Sequence, residues 1–322
     1  MERVELTERL IESKLAELDS ARALITCDLV GSPLEALDTP VGGPLMKLES
    51  FLPTRSFKVR GALLAAAAAS GRFGLTTAST GNFGAALAYA GDRYGVPVHV
   101  FATADAGELK RRRIAEMHGV IHSCEDLDDA VEQAHRFIDA APMRYVSPYN
   151  DWHLILGAAT IGLELSEQVG GRRPIVYCPV GGGGLICGIA AGLKSRRPDA
   201  EIVAVTPERS ISLYNAVHGT ARPNFATSLA DGLVGGLESD AVTVGLSRRY
   251  VDRWVIVSEA EILSAMRLLF FGAATVSEGA GATSLAGFIA DYQRETSELS
   301  VVVVSGANVE PTEFHRLMMI SS

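Results

Sequence analysis

The stretch Ser56-Phe57-Lys58-Val59-Arg60-Gly61-Ala62 places one amine where it could do covalent chemistry. Lys58 stands between Phe57 and Val59 and opens an alanine-rich run from Ala62 to Ala69. Such surroundings desolvate an ammonium, which lowers its pKa and frees the amine to attack a carbonyl. A lysine at a helix end can also just cover apolar surface with its stem, and this stretch alone leaves that reading open. Three further stretches carry complementary groups. Ser79-Thr80-Gly81-Asn82-Phe83-Gly84 lies between a β-prone run, 74–78, and an alanine-rich helical run, 85–90. The free backbone N–H groups of such a turn suit a carboxylate, although turns of this composition also simply cap helices. Gly181-Gly182-Gly183-Gly184-Leu185 follows the strand-like run Ile175 to Val180 and precedes an apolar helix. Consecutive glycines let backbone wrap an anion that the helix N-terminus faces. A dinucleotide loop would need G-x-G-x-x-G and an acidic residue about 20 positions on; the last glycine is missing here, which favours a single phosphate. Finally, Leu299 to Val304 ends in Ser305-Gly306-Ala307-Asn308, a hydroxyl at the C-terminal end of a strand, where α/β folds place ligand contacts.

The elements that must hold these groups alternate between strand-like and helical patterns. Apolar positions Leu10, Ile11, Leu15, Leu18, Ala21 and Leu24 predict a helix from Leu6 to about Thr26. Ser32-Pro33-Leu34 opens an extended segment, irregular through Thr39-Pro40 and Gly42-Gly43-Pro44, and 45–49 reads as a short strand. Ser56 stands at a helix N-cap position, which puts Lys58 in the first turn of a helix toward Ser70. Strands are expected over 96–102, 119–121, 201–205 and 253–257, and Ser258 caps a helix from Glu259 to Phe270. Residues 206–236 read as polar and irregular. The basic run Lys110-Arg111-Arg112-Arg113 is expected to start a helix and to be a solvated face. His118, His122 and Cys124 lack a fourth ligand nearby, and the two histidines would stand roughly 13 Å apart on a strand, so no metal site is expected.

The 322 residues are enough for two domains, and 48% hydrophobic residues can build a sizeable core. A net charge of -9 argues against nucleic acid or an anionic membrane as partner. Cys27, Cys124, Cys178 and Cys187 form no C-x-x-C pair, which suits a reducing cytoplasm. The acidic N-terminus is unlike a signal peptide, and no apolar run approaches the ~18 residues of a spanning helix.

Taken in chain order, SFKVRGA, STGNFG, PVGGGGL and VSGAN resemble motifs of the fold-type II pyridoxal phosphate (PLP) enzymes, in particular the threonine/serine dehydratase and serine racemase family. PYNDWHLILGAATIGLEL and LADGL are softer matches, and the resemblance runs from Ser32 to Asn308. The tetraglycine form is more similar to the dehydratases and racemases than to the cysteine or threonine synthases.

The resemblance implies a two-lobed α/β fold, similar to the tryptophan synthase β chain, with mostly parallel sheets flanked by helices. Residues 1–71 and 149–322 would form a large PLP-binding domain and 72–148 a small mobile one. It implies that Lys58 joins the cofactor and, once released, removes the α-proton. Phe57 would pack on the ring, Asn82 donate to its phenolic oxygen, Ser305 meet the pyridine nitrogen and Glu278 lie near the ring edge. Gly181, Gly182, Gly183, Gly184 and the Leu185 amide would hold the phosphate. Ser79, Thr80, Gly81, Asn82 and Phe83 would receive the substrate carboxylate, with Tyr149 and Gly235 beside the substrate.

Departures cluster around the substrate: Arg55 replaces the usual glycine, Phe83 a frequent histidine, and Gly235 a serine of some members. Thr80 replaces the opposite-face serine of racemases, and Thr206 the acidic residue of metal-dependent members. The implied activity is α,β-elimination of a β-hydroxy amino acid such as threonine or serine to a 2-oxo acid and ammonia. β-Replacement and racemisation are the alternatives, and a nicotinamide oxidoreductase ranks last. A cytoplasmic homodimer without a regulatory domain is expected.

Overall fold

Valine runs without polar alternation, such as Val301 to Val304, belong to strands covered on both faces. The computed structural model places that run at the heart of a sheet. It describes residues 13–319 apart from 15, 30, 39–42, 80, 104–106, 141 and 292–297. The predicted helix from Leu6 is thus described over α1 (Leu18–Asp28), while Leu10, Ile11 and Leu15 lie outside the described residues, as do Thr39, Pro40 and Gly42.

The larger sheet contains β1 (Leu34–Ala36), β2 (Leu45–Leu48), β7 (Pro174–Pro179), β8 (Glu201–Pro207), β9 (Arg253–Val257) and β10 (Leu299–Val304). Its order is β1-β2-β10-β7-β8-β9, with β1 antiparallel and the rest parallel. The smaller sheet is all parallel, in the order β5-β4-β3-β6, from β3 (Gly74–Ala78), β4 (Val98–Thr103), β5 (Val120–Cys124) and β6 (Met143–Tyr145). The chain is therefore an α/β protein with mostly parallel sheets, as expected.

The other helices are α2 (Lys58–Ala69), α3 (Asn82–Tyr94), α4 (Glu108–Glu116), α5 (Leu127–Ala140), α6 (Trp152–Gln168), α7 (Gly184–Arg196), α8 (Ser212–His218), α9 (Val242–Tyr250), α10 (Glu259–Ala273), α11 (Gly279–Ala290) and α12 (Pro311–Met319). Ser258 closes a capping box with Glu261 at the head of α10, as its sequence promised. The stretch read as irregular contains α8; β6, α9 and α12 were not signalled. Cys124, Cys178 and Cys187 are free buried thiols. Among the described residues no helix is long and apolar enough to cross a membrane.

Close helix contact fixes the middle of the molecule. A Cβ on Gly188 would lie 2.3 Å from the Ile155 carbonyl, and one on Gly192 2.1 Å from that of Ala159, so α7 lies directly on the α6 backbone. α2 is anchored differently. Arg60, fully buried, meets Glu49 at 2.8 Å and Glu164 at 2.6 Å, and buried Lys47 reaches Glu164 at 2.6 Å. Two cations face two carboxylates. Burial would raise the Glu164 carboxyl, but Arg60 and Lys47 outweigh it and hold it below its usual range. A buried pair tolerates no missing partner, because the survivor keeps its desolvation cost. Arg60→Ala should therefore cost about 3–5 kcal/mol, read as a lower urea midpoint. An unchanged midpoint would show that the network is not needed.

Candidate active site

β7 runs into Gly181 to Gly184, and α7 leaves from the last of them. A Cβ on Gly182 would lie 2.3 Å from the Tyr149 ring, one on Gly184 2.6 Å from the Tyr149 carbonyl, and one on Gly181 2.6 Å from that of Leu233. Gly183 has φ +92°, a left-handed conformation that side chains disfavour. The loop thus presents bare amides at a helix N-terminus, the arrangement that holds a phosphate. Tyr149 is held in turn by its hydroxyl, which accepts the Glu238 amide at 2.6 Å. Gly235, two residues past Leu233, has φ +149° and accepts the Ser212 hydroxyl at 2.9 Å through its carbonyl.

Lys58 is the first residue of α2. The Ser56 hydroxyl accepts the Lys58 amide at 3.2 Å, one position earlier than a conventional cap. The Lys58 Nζ donates to the Pro148 carbonyl and lies 4.9 Å from the Phe57 ring and 5.9 Å from the Phe83 ring. Burial lowers its pKa to about 8, and the Glu278 carboxylate pulls the other way. Pro148 precedes Tyr149, so adjacent residues bring the amine and the glycine cradle together.

Ser305 ends β10. Its carbonyl accepts the Phe57 amide at 3.1 Å, and Ser56 bridges Gly306, so backbone ties hold the lysine beside the serine. The Ser305 hydroxyl, buried, makes a long 3.4 Å bond to the Ala280 carbonyl and can turn to a ligand. Asn82, at the head of α3, donates to Glu278 at 2.5 Å and accepts from Asn308 at 2.7 Å. Glu278 also accepts the Asn308 amide at 3.2 Å, and burial, then the Asp231 charge, raises its pKa to about 7. Arg55, at φ +52°, takes the left-handed conformation a glycine would adopt readily, and its carbonyl accepts the Ala307 amide at 2.9 Å. The Ser79 hydroxyl accepts the Gly81 and Gly84 amides, each at 3.3 Å, and Phe83 is buried beneath the turn. Thr80 lies outside the described residues.

The structure corrects a further expectation. The basic run is not uniformly solvated: helix α4 begins before it, Lys110 pairs with Asp231 at 2.6 Å, and Arg113 donates to Asn308. Those partners lie 121 and 195 residues away, so the run itself gave no sign of them. Asn308 and Pro148 were quoted within motifs but given no role; a backbone acceptor such as Pro148 leaves no side-chain signal. The histidines take separate partners, His118 with Asp92 at 2.7 Å and His122 with His99 at 2.9 Å. The Thr206 hydroxyl donates to the Ser210 carbonyl at 2.8 Å.

Residues 31–306 match the family model described as pyridoxal-phosphate dependent enzyme. The chain is 32% identical to L-threonine ammonia-lyase of Thermotoga maritima, over 88% of this chain and 71% of that one. It is 31% identical to phenylserine dehydratase of Ralstonia pickettii, over 86% and 87%. It is 31% identical to beta-hydroxyaspartate dehydratase of Paracoccus denitrificans, over 82% and 85%. Maize serine racemase superposes with a TM-score of 0.86 at 26% identity, covering 94% and 96% of the two chains. The site fits that cofactor: an amine with a depressed pKa, a cradle closed to side chains, and a buried hydroxyl with a slack bond.

Acylation of Lys58 in the cofactor-free protein, followed by peptide mass against pH, should show a midpoint near pH 8. An exposed lysine would give one near 10.4. A Lys58 midpoint at the exposed value would contradict the burial argument.

Proposed function

Because the chain belongs to the pyridoxal-phosphate dependent enzymes, we propose that it is a lyase that converts a β-hydroxy-α-amino acid into a 2-oxo acid and ammonia. The similar proteins named for threonine, phenylserine and β-hydroxyaspartate support this, since those compounds share a hydroxyl on the carbon next to the amino-bearing one. The observation that carries it here is the Lys58 amine, half-buried and fixed on the Pro148 carbonyl beside the glycine cradle.

The bound cofactor supplies an electron sink that acidifies the Cα–H of an amino acid. Lys58 Nζ takes that proton, and the Pro148 carbonyl holds the resulting ammonium in place. Amides of 181–185 would hold the phosphate, Phe57 would pack on the ring, and Ser305 would offer its hydroxyl to the ring nitrogen. A serine there need not keep that nitrogen protonated, which favours prompt loss of the β-hydroxyl over a long-lived carbanion. Asn82 has a second N–H beyond the one given to Glu278, which it would offer to the ring oxygen. Glu278 fixes Asn82 at the ring edge. The turn 79–83 receives the α-carboxylate, and Tyr149 and Gly235 border the substrate. The hydroxyl leaves as water, and the released enamine takes water back as it hydrolyses, so the sum is amino acid to 2-oxo acid plus ammonia. We also take 72–148 as a smaller lobe that moves against the rest; its own four-stranded sheet supports this.

Purified enzyme given serine, threonine, phenylserine or 3-hydroxyaspartate should release a 2-oxo acid, and Lys58→Ala should lose about 10³-fold of that rate or more. Appearance of the D-enantiomer without 2-oxo acid would instead identify a racemase. A new amino acid formed only with an added thiol would identify a transferase.

A further inference from the structure

Lys110 and Arg113, three residues apart on one helix, are neighbouring like charges that repel, so a structure that half-buries both gains by giving each a partner. Helix α4 belongs with the smaller sheet: it packs on α3, where a Cβ on Gly84 would lie 3.2 Å from Ile114 Cδ1. Three polar contacts join it to residues that follow strands of the larger sheet. The Leu109 amide donates to Glu310 at 2.6 Å, Lys110 pairs with Asp231 at 2.6 Å, and Arg113 donates to Asn308. Asn308 is the residue that also bonds Asn82 and Glu278. The Lys110 Nζ lies 3.9 Å from where a Cβ on Gly81 would stand, next to the turn.

The two ends of the ion pair are unequal. The Lys110 side chain is 12% exposed, whereas Asp231 is 59% exposed on a short helical turn, Asp231–Leu233. The lysine is committed to the interface, and the aspartate can leave it. Helix α4 is therefore a clasp with one releasable bond, mounted next to the turn at the head of α3.

We propose that Lys110 is a positioning residue for substrate capture: its pair with Asp231 docks α4 against Gly81 and sets how firmly Ser79 and residues 81–83 are held for the substrate carboxylate. This rests on the reading that the turn receives the carboxylate. The proposal differs from an ordinary surface pair, which contributes little, because the lysine is enclosed and its neighbours reach Asn82 through Asn308.

The test compares Lys110→Ala, Lys110→Arg, Asp231→Asn and the Lys110→Ala/Asp231→Asn double variant in the holoenzyme, with Arg112→Ala on the exposed side of α4 as control. Lys110→Ala and Asp231→Asn should each raise KM roughly tenfold while leaving kcat nearly unchanged, and the double variant should be no worse than either. Lys110→Arg should restore most of the affinity, and Arg112→Ala should behave as the parent. Hydrogen exchange over 107–116, measured without turnover, should quicken in Lys110→Ala and Asp231→Asn alone. Additive single effects, or KM and exchange both at parental values, would overturn the clasp. If no hydroxy amino acid is turned over but exchange still quickens, the clasp stands and the lyase reading falls.

Discussion

Desolvation of a single amine is the constraint on which the rest of the structure depends. A lysine in water is an ammonium at neutral pH and cannot attack a carbonyl. Lys58 is brought toward neutrality by burial near the Phe57 and Phe83 rings, while Glu278 limits how far the shift goes. A side chain with four rotatable carbons keeps such a position only if its helix cannot move. The charge-balanced network of Arg60, Glu49, Glu164 and Lys47 starts two residues further along that helix and ties it to β2 and α6. Backbone bonds from Phe57 to Ser305 and from Ala307 to Arg55 hold the approach from the other side.

The glycine cradle depends on the same rigidity. Its amides are bare because Tyr149 and Leu233 occupy the space side chains would need. α7 can start at that spot because Gly188 and Gly192 let it lie on the α6 backbone. Cradle and amine are then linked through Pro148 and Tyr149, neighbours in sequence that face one partner each. Small residues thus do two jobs in this chain: they open room for a ligand and close the distance between helices.

What the sequence revealed and what it hid divide along a physical line. Lys58, the four glycines and the strand ending at Ser305 were legible because their neighbours in sequence already supply the relevant environment: apolar flanks, absent side chains, a β-branched run. The parallel strands read at 175–180, 201–205 and 299–304 were legible for the same reason, with shifts of one or two residues at their ends. Contacts made across the fold were not. Lys110 and Arg113 look like a solvated basic face until Asp231 and Asn308 arrive from far along the chain. β6, three residues long, is a strand because β3 pairs with it, and α8 forms inside a stretch whose composition reads as loop. The Pro148 acceptor is backbone, which no residue type announces.

The central claim is that the Lys58 amine forms the covalent link to pyridoxal phosphate. Reducing the holoenzyme with borohydride, digesting it and sequencing the modified peptide by mass spectrometry tests it most directly. The expected result is one peptide containing Phe57-Lys58-Val59 that carries the reduced cofactor on the lysine. A holoenzyme in which that peptide is unmodified, or in which the mass sits on another lysine, would contradict the account.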